Sequence, residues 1–166
     1  MNYGYGDPSG ATFAILVTVY AVVFGIEFLV FAAIYIVSGI GFMKLFRKVG
    51  VEPWAAWVPF FNTWRMLEVG GQPGALSILQ IVPIANYVPA VFQAISAYKV
   101  GAAMRKEGAW VVLFIFLPFV WAWIVGDDKT PYDPTIMAAN GWKPPLAGYG
   151  SVRGPYVPNT PPPPAA

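Results

Sequence analysis

An all-α fold is predicted here: a polytopic bundle of membrane helices followed by a disordered, proline-rich tail. Three observations lead to it. Hydrophobic residues make up 57% of the 166-residue chain and charged residues only 11%, whereas a soluble domain carries about 25% charged residues. Four stretches are nearly free of charge over lengths that approach the bilayer thickness. Ten of the seventeen prolines fall in the last 36 residues, where aliphatic periodicity is lost.

Composition also removes much chemistry. With no cysteine, the chain has no disulfide, no thiolate nucleophile and no cysteine-built metal site. With no histidine, it lacks the commonest general base and metal ligand. A net charge of +2 is too small to suggest nucleic acid. No metal site and no cofactor are expected, nor any Gly-rich phosphate loop.

Residues 1–12 are polar, contain no Lys or Arg, and are expected to form a short extracytoplasmic N-terminus. A signal peptide needs a basic start and a shorter apolar core. Residues 13–130 are expected to form the helical membrane domain. Its first segment, Phe13 to Met43, holds eighteen Leu, Ile, Phe and Val residues up to Phe42. At about −0.3 to −0.6 kcal/mol each, these outweigh a central Glu27 costing about 2.5–3.5 kcal/mol. The cluster Lys44, Arg47 and Lys48 follows directly. By the positive-inside rule it sets the N-terminus outside and Lys44 in the cytoplasm, where the cluster also suits anionic lipid headgroups.

The second segment, Pro53 to Val69, is either a short span or an interfacial or re-entrant helix. It contains three Trp residues and a central Pro59, and Gly70-Gly71 ends it. A third, Pro73 to Tyr98, is long enough to span but is interrupted by Pro83 and Pro89. The fourth, Ala109 to Gly126, is uncharged and contains Pro118. These four prolines are expected helix breaks. Counting basic residues does not fix the topology: four spans put six of ten Lys and Arg inside, and three spans put seven. Residues 131–166 are expected to be a disordered Pro/Gly-rich tail, partly polyproline II.

Val58-Pro59-Phe60-Phe61-Asn62 is echoed by Val82-Pro83-Ile84-Ala85-Asn86, each after a Gly-to-Pro opening (Gly50 to Pro53, Gly71 to Pro73). Proline frees a carbonyl one turn earlier, and an Asn three residues on can satisfy it. Glu27, Asn62 and Asn86 are therefore the candidate intramembrane polar site, since an intramembrane carboxylate marks function by default. A Ser/Lys dyad has only Ser38/Lys44 and Ser96/Lys99 close in sequence, neither in a catalytic surround.

The run GFMKLFRKVGVEPWAAWVPFFNTWRMLEVGGQPG, then IVPIAN, then LPFVWAWIVGDD resembles a family of small prokaryotic multi-pass membrane proteins of unknown function. Repeated Ile/Val-Pro-x-x-Asn segments mark it, and some members are fused to signal-peptidase domains. The resemblance covers roughly residues 41–130. Val58 and Val82 stand where the family has Ile, and Asp128-Lys129 where it often continues to an aromatic. The resemblance implies a prokaryotic cytoplasmic membrane and carries no catalytic or ligand residues.

The function expected is that of a non-enzymatic accessory or scaffold protein in the lipid bilayer. It would bind a membrane protein partner or a second copy, and the tail motifs Pro155-x-x-Pro158 and Pro158-x-x-Pro161 would suit a polyproline-recognising partner. The alternative is a small-solute or ion carrier organised around Glu27 and the Pro-x-x-Asn breaks.

Overall fold

The computed structural model describes residues 8–127, 129 and 131–148, and every regular element among them is a helix. The chain forms two units, one ending at Ile36 and one beginning at Val37. The first helix, α1 (Pro8–Val49), runs through both. In the first unit, residues 9–36 are all exposed except half-buried Ala32. Thr18 returns its hydroxyl to the Ala14 carbonyl at 2.8 Å, so its polar group is satisfied within the helix. Of the described helices, only α1 is long and apolar enough to cross a membrane.

The second unit is built from reversals. A 3-10 helix (Pro53–Trp57) leads into α2 (Pro59–Val69), and a second (Gly74–Ile81) leads through a turn into α3 (Tyr87–Ala103). Then come α4 (Trp110–Phe116) and α5 (Pro118–Gly126). Each pair turns at an aliphatic residue followed by proline. Val58 (φ −108°, ψ 109°), Val82 (−92°, 120°) and Leu117 (−138°, 66°) all leave the helical region, because the proline ring clashes with a helical predecessor. All three turns share one backbone bond: the amide of Asn62, Asn86 or Trp121 reaches the carbonyl of Val58, Val82 or Leu117, at 2.7, 3.1 and 3.1 Å.

Contacts between the limbs show them folded back. In the first hairpin Trp54 stacks on Phe61 at 5.0 Å, and Arg65 meets Glu52 at 3.3 Å. The second joins Gln80 and Gln93 through Thr63, at 2.8 and 3.2 Å. In the third, the edge of Phe114 meets Trp121 at 5.1 Å.

These turns correct three expectations. The stretch 73–98 is not one helix, since Ile84, at φ 72°, holds the chain in a turn before α3. The stretch 109–126 is divided at Leu117-Pro118. The stretch 53–69 is likewise not one helix but two helical limbs about Val58-Pro59. Pro59 and Pro118 begin helices, at a position whose N–H has no helical partner in any case. Pro83 lies in the turn. Pro89 is not a break: it sits in the first turn of α3, where no helical bond is lost.

The other ends of the helices close alike. Gly50, Gly71 and Gly141 take positive φ after α1, α2 and α6 (Thr135–Ala139). In each case the following amide bonds back to the helix: Val51 to Phe46, Gln72 to Leu67 and Trp142 to Met137. These are Schellman closures. The end of α3 makes the same bonds, Lys106 to Gly101 and Arg105 to Ala102, but places Arg105 at φ 56° where glycine is favoured.

The core lies between these limbs and the last part of α1. Leu45, Phe46, Val69, Val100, Trp121 and Val125 are fully enclosed. Gly70 lets α2 approach α3: a methyl group there would stand 2.3 Å from the Ser96 Cβ. The expected tail is corrected over residues 131–148. Met137 and Ala147 are completely buried in this core, the Asp133 amide bonds the Ala103 carbonyl at 2.7 Å, and the Leu146 amide bonds Glu68 at 2.8 Å. The segment folds because it satisfies carbonyls at helix ends while burying its few apolar side chains. Residues 149–166, with the Pro-x-x-Pro motifs, lie outside the described residues, as do residues 1–7 of the expected extracytoplasmic N-terminus, whose remaining residues 8–12 are helical in α1.

R105G is expected to stabilise the chain by about 0.5–1 kcal/mol, the αL penalty less the added freedom of the unfolded state. G71A is expected to destabilise it by at least about 1–2 kcal/mol, because its new methyl would also stand 2.7 Å from the Lys143 carbonyl oxygen. Denaturation of the two variants in detergent micelles should shift in opposite directions.

Candidate functional site

Glu27 belongs to the first unit and lies exposed on α1. Asn62 and Asn86 belong to the second unit, one behind each Val-Pro turn. Asn62 is half-buried and donates its side-chain amide to the Ala56 carbonyl at 3.3 Å. It thus holds the 3-10 limb against α2. Asn86 is exposed at the start of α3 and forms no capping bond there. The two asparagines occupy equivalent places in equivalent turns, and their bonding is local to each turn.

A denser polar cluster sits at the open end of the first hairpin. Arg65 is 13% exposed; it holds Glu68 at 2.7 Å and Glu52 at 3.3 Å. Trp64 donates its indole N–H to the other Glu68 oxygen at 2.8 Å, and the Arg65 guanidinium lies 5.0 Å from the centre of the Phe61 ring. A planar guanidinium on an aromatic face, paired with two carboxylates, is a strong anchor. It fastens residues before and within α2. The spacing of Arg65 and Glu68 is visible in the sequence, whereas the third member, Glu52, is brought in by the hairpin.

The Thr63, Gln80 and Gln93 node leaves no short-range sequence signal, because its members are 17 and 30 residues apart. Both glutamine amides donate to the buried Thr63 hydroxyl, which turns its own proton toward the Pro59 carbonyl at 3.4 Å.

Lys44, Arg47 and Lys48 differ in their surroundings. The Lys44 ammonium lies 4.2 Å from the centre of the Trp123 ring. Lys48 donates to the Val125 carbonyl at 3.0 Å and to that of Asp127, which neutralises the negative end of α5. Arg47 is exposed. Lys99, beyond the apolar stretch, is held below the usual lysine range by burial first and by Lys143 second. Of the two Ser/Lys pairs, Ser96 is buried against Gly70 and Lys44 is engaged with Trp123. Among the described residues no group of His, Cys, Asp or Glu is arranged to hold a metal.

These features define a helical protein with one span-length helix and a unit of proline-turned hairpins. Residues 54–134, which contain all three turns, match a family of unknown function (DUF5684). No curated protein matches the chain, and no solved structure does.

Removing Glu68 (E68A) takes the nearer carboxylate from a largely buried guanidinium, which keeps the longer Glu52 contact, and leaves an indole N–H without its acceptor. It is expected to cost about 2–4 kcal/mol, toward the lower side of a fully buried pair. E52Q, at a more exposed carboxylate, is expected to cost under about 1 kcal/mol. Chemical denaturation of the two single variants and the double variant separates the contributions.

Proposed function

We propose that this is an integral membrane protein of a prokaryotic cytoplasmic membrane that acts without catalysis, as an accessory or scaffold subunit holding a membrane partner or a second copy of itself. The observation that carries the membrane assignment is α1. Its most apolar window has a mean hydropathy of 2.4 and none of it is buried. In water, the exposed side chains of residues 9–36 would form an apolar surface far larger than the few hundred Å² a soluble monomer tolerates. In lipid they need no cover. In this proposal α1 crosses the bilayer with its N-terminus outside and Lys44 in the cytoplasm.

The scaffold reading is favoured over the carrier reading by the local bonding of Asn62, which ties it to its own turn. The second unit's polar groups serve mainly to lock one hairpin to the next. Rigid presentation of surfaces is what such a unit offers.

The chain is expected to stay in the pellet after alkaline carbonate washing of membranes, and release by carbonate would overturn the membrane assignment. After gentle detergent extraction it is expected to elute with a stable stoichiometric partner, identified by mass spectrometry as another protein or a second copy. A lone monomer that moves a solute in proteoliposomes, and loses that activity in N62A or N86A, would overturn the scaffold in favour of the carrier. Truncation for such work belongs after Gly148, since residues 131–148 are part of the core.

A further inference from the structure

We propose that the uncharged end of the second unit is a lipid-binding surface: the three proline turns enter the acyl region of one leaflet, and each hairpin returns without crossing. This rests on the membrane assignment above and specifies how the second unit meets lipid.

Charge is divided between the two ends of this unit. The stretches 53–64, 69–98 and 108–126 contain no Asp, Glu, Lys or Arg. The charged residues fall where the limbs are tied together: Glu52 on Arg65, Lys48 on the Val125 carbonyl, and the Asp133 amide on the Ala103 carbonyl. With every hairpin returning, nine of the ten Lys and Arg residues gather there, the tenth being Arg153. A topology by complete crossings divides them six to four or seven to three. One-sided placement is what the positive-inside rule favours.

The opposite end is apolar and open. Phe60 is 50% exposed, Ile84 83% and Phe116 75%, one at each turn. Several polar groups near these turns are bonded internally, as hydrocarbon demands, the exposed Asn86 side chain and the Trp121 indole N–H being the exceptions. Gln80 and Gln93 meet on Thr63, and the amides of Tyr87 and Val88 close on Ile84 and Ala85. The limbs after the first and third turns fit one leaflet: α2 and α5, of 11 and 9 residues, rise about 16 and 13 Å, against about 30 Å for the hydrocarbon core. The longer α3, of 17 residues, rises about 18 Å over its uncharged part, residues 87–98, and carries Lys99 beyond it.

A separate observation marks the depth of the charged end. Lys44 pairs with the Trp123 ring at 4.2 Å and Lys106 with that of Trp110 at 5.2 Å. Amphipathic aromatics beside lysines occupy the headgroup boundary, where anionic lipids attract basic residues.

Single cysteines in this cysteine-free chain test the proposal: Ile84→Cys and Phe116→Cys at the turns, and Glu107→Cys at the charged end. The full-length chain is placed in sealed vesicles of phosphatidylcholine and phosphatidylglycerol, and an impermeant maleimide is applied from either face. Glu107→Cys is expected to label from one face. The turn cysteines are expected to label from neither, at least about tenfold more slowly, as insertion into hydrocarbon requires. They should react fully once detergent is added. Bimane attached at the turns in detergent should be quenched, after reconstitution, by lipids brominated on the acyl chains. Labelling of a turn cysteine from the face opposite Glu107→Cys would overturn the proposal in favour of complete crossing. Labelling from the same face at the Glu107→Cys rate would overturn it in favour of a water-exposed end. Protection without lipid quenching, the mark of a protein covering the turns, would overturn it too. In all three cases retention of the chain through a carbonate wash leaves the membrane assignment standing, whereas carbonate release of the unmodified chain removes both.

Discussion

The second unit depends on a steric restriction one residue wide: a clash with the proline ring disfavours helical geometry at the residue before it. At Val58, Val82 and Leu117 this takes the backbone into extended or intermediate angles, and the chain doubles back. The proline itself then starts or closely precedes a new helix. Because α2, α3 and α5 all leave their turns toward the charged end, they run roughly the same way as the last part of α1. Nonlocal packing among Phe46, Val69, Val100 and Trp121 follows from that common direction. Without the turns, residues 109–126 would be a single apolar helix with no reason to fold on itself.

The amide side chains that bond between the uncharged limbs turn inward, whereas Asn86 is exposed. Thr63 accepts from two glutamines on different limbs, and Asn62 steadies the limb before it. Each bond is modest, about 0.5–1.5 kcal/mol net, yet each specifies which limb lies beside which. Close packing does the rest, with Gly39 admitting Trp57 and Gly41 admitting Trp123. The Trp123 indole also donates to the Val37 carbonyl at 2.9 Å, securing α5 to α1 at two levels, with Lys48 above it.

The apolar body of α1 was legible, since its signal is composition and length, though the helix runs from Pro8 to Val49, past the expected Phe13 and Met43 at both ends. The Val-Pro-x-x-Asn echo was legible as a repeat, with its Gly openings, but a repeat does not state the angle through which the chain turns. The third copy is not visible as a repeat because it lacks the asparagine. Trp121 stands in the place of Asn62 and Asn86 relative to its turn, so the shared element is an aliphatic residue and a proline after an uncharged run. Hydropathy windows average across such a turn and report one span where there are two limbs. Residues 131–148 escaped for a different reason. Their contribution is a few buried side chains and backbone amides offered to distant carbonyls, and neither has a periodic signature. Arg65 and Glu68, in contrast, stand three residues apart, a spacing that any helix turns into neighbours, and only the fold adds Glu52.

The gathering of basic residues at one end has a physical cause within the fold itself. The C-termini of α1, α2, α3 and α5 all reach that end, and each carries the partial negative charge of a helix terminus. Four such termini with unsatisfied carbonyls would repel one another. Positive side chains and donated amides relieve this: Lys48 on α5, the Asp133 amide on α3, and the Leu146 amide on α2. Lys99 and Lys143 then sit close enough for one to depress the other, a cost accepted where so much cation is collected. The segment 131–148 is therefore a lid over helix termini, and the same charge that neutralises those termini is suited to an anionic headgroup layer. Helix direction, set by three prolines, thus determines where the charge must lie.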